Sequence, residues 1–238
     1  MEKRQSKLRV ICAGGYRVAM EQIAADFTAQ SGTEIELTFG APAKTRELVT
    51  LGSGFDAAVV TKGSLDDDAA AQLASKTMFI VAKSPVGVGV REGLTVPLIE
   101  TVEQFGALIR SLRSVGLSDP AAGTNLGNDI LNSADRVGLG ADLRARVKFV
   151  YGPGSVVSSE VAKGDPDAVI TLISEIKTVA GVQFVGNIPK EMGLGTPFVA
   201  GIARVTEDRH AAEAFLKYLR SDTARLQMQR TGLIVVDQ

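Results

Sequence analysis

The stretch LRVICAGGYRVAMEQIAADFTAQSGTEIELTFG, residues 8–40, determines the fold. It begins with an almost wholly apolar run that ends at Gly14-Gly15, which predicts a buried strand. Apolar residues then recur every four positions, as in an amphipathic helix, and residues 34–39 alternate between polar and apolar, as in a half-exposed strand. A strand, a helix and a strand in this order predict a β-α-β unit with parallel strands.

The same order of strand, turn and helix returns further along the chain. Residues 115–118 read as a strand that enters a loop and then a helix, and Thr101 with Gln104 predicts a capping box ahead of an earlier helix. The sequence therefore predicts an α/β fold of two lobes, each with a mostly parallel sheet flanked by helices, joined by two crossover segments. The expected bounds are 1–80 with 200–238 for the first lobe, 84–193 for the second, and hinge segments near 78–84 and 193–203.

Composition excludes several function classes. The chain of 238 residues carries 26 Lys and Arg against 27 Asp and Glu, so its net charge of -1 gives no reason to expect a nucleic-acid partner. One cysteine and one histidine cannot build a cysteine or multi-histidine metal site, and G-x-x-x-x-G-K-[ST], H-E-x-x-H, C-x-x-C and G-x-S-x-G are all absent. No metal, no cofactor and no membrane span is predicted.

The N-terminus leaves two localisations open. Residues 1–7 are basic and polar, but the apolar run that follows them, residues 10–13, is too short for a signal peptide. The protein is expected to be cytoplasmic if Met1 is the native start, and periplasmic if a leader was removed.

Four strands end in turns of small residues that open helices, at residues 14–16, 40–45, 119–125 and 152–155. The start of a helix offers unpaired N–H groups and a positive dipole end, and such turns lie at the carboxyl ends of the strands, where α/β proteins bind ligands. This pattern predicts an anion site. The alternative is that the turns are only the ordinary connections of an α/β protein.

Three segments resemble the type 2 periplasmic binding proteins, most closely the molybdate-binding subfamily. The first runs from LRVICAGGYRVAM to FDAAVV, the second is SDPAAGTNLGNDIL, and the third runs from TPFVAGIARV to the final IVV. This resemblance implies a cleft between two lobes that closes on a small ligand and, if the protein is exported, delivery of the ligand to an ABC permease.

The departures from that subfamily concern the ligand. Its molybdate-binding members present serine hydroxyls from their first two loops, whereas this chain has Gly14, Gly15 and Tyr16 in the first and residues 40–43, GAPA, in the second. A bare oxyanion would leave acceptors unpaired, at about 1–3 kcal/mol each. The expected ligand is therefore a small organic anion, a carboxylate, and not molybdate, tungstate or sulfate.

Basic and hydroxyl side chains close to the turns are the candidate ligand contacts. Lysine and arginine suit carboxylates, and tyrosine can stack on an organic ligand, although each could equally be a surface or packing residue. The full set of candidate binding residues is Gly14, Gly15, Tyr16, Lys44, Thr45, Arg46, Gly123, Thr124 and Ser155. Ser155 is also the expected N-cap of the helix that follows it.

Two function classes stay open at this point. The first is a solute-binding protein without chemistry of its own. The second is a cytoplasmic enzyme on the same fold, an isomerase, tautomerase or lyase of a carboxylated metabolite, whose candidate proton-transfer groups are Tyr16, Lys44, Asp119, Glu160 and Cys12. A LysR-type effector domain shares the fold, but no DNA-binding helices precede Leu8.

Overall fold

A computed structural model describes residues 7–236 and divides the chain into two compact units. Of the described residues, 7–83 and 197–236 form the first unit, and 84–196 form the second. Two strands, β4 (Phe79–Arg91) and β9 (Gly195–Ile202), continue through the points of division. Each unit is an α/β layer with its own buried apolar residues.

The first unit is built on a sheet in the order β2-β1-β3-β9. The strands β1, β2 and β3 are parallel, and β9 runs antiparallel to β3. The bounds are β1 Lys7–Ala13, β2 Glu34–Gly40, β3 Ala57–Thr61 and β10 Ile234–Val235, with helices α1 Arg17–Ser31, α2 Pro42–Thr50, α3 Asp67–Ala71, α9 Arg209–Tyr218 and α10 Asp222–Arg230. The β-α-β unit predicted from residues 8–40 is confirmed.

Helix α1 shows why this segment folds as predicted. It buries the apolar face formed by Ala19, Met20, Ile23, Ala24 and Phe27, and it ends at Gly32, whose φ of 74° suits the left-handed end of a helix. Phe27 packs edge-on against Phe215 of α9 at 5.3 Å between ring centroids. The C-terminal segment is thereby fixed to the first unit.

The second unit has a sheet in the order β8-β4-β7-β5-β6. The strands β5, β6 and β7 are parallel, whereas β4 pairs antiparallel with β7 and β8. The bounds are β5 Val115–Ser118, β6 Val147–Val150, β7 Ala168–Leu172 and β8 Val182–Asn187, with helices α4 Val102–Ser111, α5 Leu126–Arg136, α6 Gly140–Arg144, α7 Gly154–Lys163 and α8 Ile173–Ile176. The predicted α/β architecture with mostly parallel sheets is thus confirmed, with antiparallel strands added at one side of each sheet.

Of two features predicted at helix starts, the structure confirms one and contradicts the other. The capping box before α4 is confirmed, since the N–H of Gln104 donates to the Thr101 hydroxyl at 3.2 Å and the Gln104 side chain accepts from the Thr101 N–H at 3.2 Å. The N-cap role expected of Ser155 is wrong. Pro153 is the N-cap of α7, and Ser155 lies inside the helix.

Candidate functional site

The loops after β1 and β2 are neighbours at one edge of the first unit. Gly14–Tyr16 forms a short 3₁₀ turn directly after β1, and a single residue separates the end of β2 from the start of α2. A Cβ on Gly14 would lie 3.7 Å from the Gly40 carbonyl oxygen, so the two turns are in contact. This is the edge at which parallel strands end, where the sequence predicts ligand contacts.

Tyr16 is buried rather than displayed on this edge. It is 1% exposed and packs edge-on against Phe198 of β9, with ring centroids 5.3 Å apart. Its hydroxyl finds no hydrogen-bond partner among residues 7–236. Burial raises the pKa of the Tyr16 hydroxyl and of the equally buried Cys12 thiol well above their ordinary values, so both groups are neutral near pH 7.

The consecutive residues Lys44, Thr45 and Arg46 have different environments on α2. Lys44 is half-exposed, and its Nζ lies 2.9 Å from Glu47 Oε1. Arg46 is exposed as well, and its Nε lies 3.8 Å from Asp66 Oδ2 beside a surface groove of about 560 Å³. Thr45 is fully buried, because the helix turns it toward the sheet.

The Thr45 hydroxyl belongs to a cluster of three hydroxyls, in which Thr45 and Ser64 are buried and the third residue is half-buried. It donates to the Pro42 carbonyl at 3.0 Å and lies 3.4 Å from Ser64 Oγ, which in turn lies 2.6 Å from Thr61 Oγ1. Thr61 ends β3, and Ser64 belongs to the turn after it. Sequence reasoning missed Thr61 as a member of this edge. The signal for it is a hydroxyl residue at the carboxyl end of a buried strand.

In the second unit, the loop after β5 uses its side chains to hold its own backbone. Asp119 Oδ1 accepts the N–H of Ala121 at 2.9 Å, Gly123 adopts a φ of 83°, and Thr124 Oγ1 accepts the N–H of Leu126 at 3.3 Å. These hydrogen bonds join side chains of the loop to its own backbone. Asp119, Gly123 and Thr124 are each half-buried and lie at the carboxyl end of β5.

Glu175 is the least expected group at this edge of the second unit. It follows β7 within the short helix α8 and is 7% exposed. Its Oε2 accepts the Thr171 hydroxyl at 2.9 Å.

The Glu175 carboxyl is held in a narrow space with an altered acidity. A Cβ on Gly154 would lie 2.5 Å from Glu175 Oε2, so only glycine allows the backbone this close. Burial raises the pKa of Glu175 from 4.5 to about 7, although the donors Thr171, Gly154 and Ser155 act in the opposite direction. Sequence reasoning missed this residue, since Glu175 sits in the pattern ISEI without a motif around it.

Other polar groups complete the description of this unit. Ser84 Oγ and Ser174 Oγ are buried 3.1 Å apart, and Ser174 directly precedes Glu175 in the sequence. Glu160, a candidate proton-transfer group, pairs with Lys163 at 2.8 Å on α7.

Among residues 7–236 there is no group of three or more His, Cys, Asp or Glu side chains that could hold a metal ion. Over the same residues, none of the helices has the length and apolar character needed to cross a membrane.

Comparisons with known proteins agree with this architecture. The sequence model of the bacterial extracellular solute-binding proteins matches residues 8–234. The periplasmic molybdate-binding protein of Azotobacter vinelandii superposes with a TM-score of 0.75 at 18% identity, over 97% of this chain and 100% of that one. A structure of PEB3 with L-phospholactate bound gives a TM-score of 0.72 at 18% identity, over 96% and 100% of the two chains, and Peb3 comes from Campylobacter jejuni.

One curated relative is named as an enzyme. It is an aconitate isomerase from a Pseudomonas species, 24% identical over 232 residues, which cover 95% of this chain and 87% of the relative. With the family match over nearly the whole chain and structural neighbours of the two-lobed type, the chain belongs to the bacterial extracellular solute-binding proteins and has their type 2 periplasmic-binding-protein fold.

Proposed function

We propose that this chain binds a small organic anion, a carboxylate, and not molybdate. The observation that carries the proposal is the chemistry of the first two loops of the first unit. Neither loop presents a side-chain hydroxyl to an oxyanion, since Gly14 and Gly15 have none, the Tyr16 hydroxyl is buried, and the Thr45 hydroxyl donates to the Pro42 carbonyl. Backbone N–H groups and basic side chains are the remaining donors of these loops.

Lys44 is the basic group best placed to meet a carboxylate. It lies in the first turn of α2, where the helix dipole already favours an anion. Its present partner is the half-exposed Glu47 three residues later, and exposed pairs of this kind contribute only about 0–1 kcal/mol. Lys44 can therefore exchange Glu47 for a ligand carboxylate at little cost.

The relatives support an organic ligand. PEB3 was solved with L-phospholactate, and the curated relative acts on aconitate, so two similar proteins are associated with carboxylated organic anions. If this chain is exported, we propose that it delivers its ligand to an ABC permease.

Isothermal titration calorimetry with cis-aconitate, trans-aconitate, molybdate and sulfate tests the proposal. We expect at least one carboxylate to bind, and Lys44→Ala to weaken that binding by about tenfold or more, the loss of one charge-assisted hydrogen bond. The matched control is Lys163→Ala, because Lys163 also pairs with a glutamate three residues away, at 2.8 Å. Sub-micromolar binding of molybdate, or equal losses in both variants, would contradict the proposal.

A second candidate function is the isomerisation of an unsaturated carboxylate. It is favoured by the likeness to the aconitate isomerase over 95% of this chain. Such a reaction removes a proton from a carbon next to a carboxylate and returns one elsewhere, so it needs a group that exchanges protons near neutral pH.

The candidate proton-transfer groups differ in what they offer. Tyr16 and Cys12 are buried and neutral, and Asp119 and Glu160 have protein partners.

Proton NMR of cis- or trans-aconitate with the protein in D₂O tests the candidate function. Conversion to the other isomer with deuterium incorporation is expected of an isomerase, whereas binding without conversion or exchange leaves the solute-binding function alone.

A further inference from the structure

We propose that the Thr61 hydroxyl is a ligand contact: it accepts a hydrogen bond from Ser64 and donates its own hydrogen to an oxygen of the bound anion. The inference rests on the proposed function, the binding of an organic anion, and adds a side-chain hydroxyl that the first two loops of the first unit do not supply. The evidence is the position of Thr61, the burial of its neighbours and the hydrogen bonds among them.

Thr61 lies at the same edge of the first unit as the predicted ligand loops. It is the last residue of β3, which runs parallel to β1 with Val59 as the register partner of Cys12. The end of β3, two residues after Val59, is therefore level with Gly14 at the start of the turn after β1. An anion that contacts the turns after β1 and β2 has the end of β3 beside it.

Thr61 is the member of the hydroxyl cluster that a ligand can reach. Thr45 is 0% exposed and Ser64 is 2% exposed, whereas Thr61 is half-buried. A group from solvent can therefore approach the Thr61 side chain but neither of the other two.

The hydroxyl hydrogens of the cluster outnumber the acceptors that the protein offers them. Thr45 donates to the Pro42 carbonyl at 3.0 Å, and its 3.4 Å contact with Ser64 has Ser64 as the acceptor. Ser64 Oγ and Thr61 Oγ1 lie 2.6 Å apart and share one hydrogen bond, in which either could be the donor. Among residues 7–236 neither of the two has another acceptor, so one of their hydrogens has no protein partner.

Burial decides which of the two hydrogens is left over. A buried donor without an acceptor loses its hydration without compensation, whereas an accessible donor can bond to water or to a ligand. Ser64, the more buried of the pair, therefore donates to Thr61, and the Thr61 hydrogen is the one available outside the protein. The hydrogen bond from Ser64 also polarises the Thr61 hydroxyl and makes it a stronger donor.

This arrangement favours an ionised carboxylate as the group that meets Thr61. A carboxylate only accepts hydrogen bonds, and a bond from a hydroxyl to a charged oxygen is stronger than one to a neutral oxygen. A group that only donates, such as an ammonium, would leave the Thr61 hydrogen unpaired. Thr61 thus adds to the preference for an anion without adding a charge.

Isothermal titration calorimetry with cis-aconitate and trans-aconitate tests this contact. Thr61→Val keeps the shape of the side chain without its hydroxyl and should weaken binding about tenfold. Thr61→Ser keeps the hydroxyl and should bind within about threefold of the unmodified chain. Thr50→Val is the matched control, because Thr50 is an exposed threonine of the same unit, and it should leave the affinity unchanged.

Ser64→Ala separates a ligand contact from a structural role. It removes the same 2.6 Å hydrogen bond as Thr61→Val but leaves the Thr61 hydroxyl in place. A smaller loss of affinity in Ser64→Ala than in Thr61→Val supports donation to the ligand. Equal losses in the two variants, or no loss in Thr61→Val, overturn the role of Thr61 while anion binding stands. If neither probe binds to the unmodified chain, the carboxylate ligand and the Thr61 contact are both overturned.

Discussion

Replacing Glu175 by glutamine should change how the stability of this protein depends on pH. The native pKa of this carboxyl is about 7, above the ordinary value of 4.5 that it regains on unfolding. The folded state therefore holds the proton more tightly than the unfolded state, and the contribution of Glu175 to stability is largest below pH 4.5. It is lost progressively as the pH rises from 4.5 to 7 and stays lost above 7.

The size of the effect follows from the two pKa values. A rise from 4.5 to about 7 corresponds to roughly 3 kcal/mol of unfolding free energy, at 1.36 kcal/mol for each pH unit between them. Relative to Glu175→Gln, the unmodified chain should lose roughly 3 kcal/mol between pH 4.5 and pH 8. Other groups titrate equally in both proteins, so their contributions cancel in the difference.

Urea denaturation followed by circular dichroism at half-unit pH steps measures this difference. Glu191→Gln is the control, because it makes the same chemical change at an exposed position of the same unit. A constant difference between Glu175→Gln and the unmodified chain across this range would refute the account of Glu175 as a buried carboxyl of raised pKa.

Three further substitutions test other parts of the structure by the same denaturation measurement. Gly154→Ala places a methyl group 2.5 Å from Glu175 Oε2 and should cost about 1–3 kcal/mol through overpacking; an unchanged midpoint would show that α7 does not approach so closely. Tyr16→Phe removes a buried hydroxyl without a partner in the described chain, so stability should stay within about 1 kcal/mol or rise, and a loss of 2 kcal/mol or more would reveal a missing hydrogen bond. Burial alone would raise the pKa of Asp56, but hydrogen bonds, led by that from the Arg9 side chain, lower it. Asp56→Asn should therefore lower the free energy of unfolding by about 2 kcal/mol at pH 7 and by progressively less below pH 4. An equal loss at pH 3 and pH 7 would argue against the ion pair.

Much of the fold could be predicted from short local patterns in the sequence. The apolar run before Gly14 and the helix pattern after it required only short-range information, because burial of one face fixes both the element and its orientation. The same holds for the capping box of Thr101 and Gln104, whose partners are three residues apart. The antiparallel placement of β9 beside β3 joins residues about 140 positions apart, and no local periodicity encodes it.

The environment of the candidate site residues, in contrast, could not be predicted from local sequence. Lys44, Thr45 and Arg46 are adjacent in sequence, yet packing buries Thr45 and leaves Lys44 and Arg46 in surface ion pairs. Their role as ligand contacts stays a prediction. Which of three consecutive polar side chains turns inward depends on where the helix meets the sheet, and this is a property of the packed unit.

The sequence by itself determined the class of fold, the likeness to the type 2 periplasmic binding proteins and the loss of hydroxyls from the first two loops, since all three reside in local composition and order. Only the tertiary structure decided that Glu175 is buried against the start of α7. Glu175 lies some twenty residues further along the chain than Gly154, which its carboxyl group approaches, and burial raises its pKa. Burial and long-range hydrogen bonds exist only once the strands are assembled, and so neither is written in any single stretch of the chain.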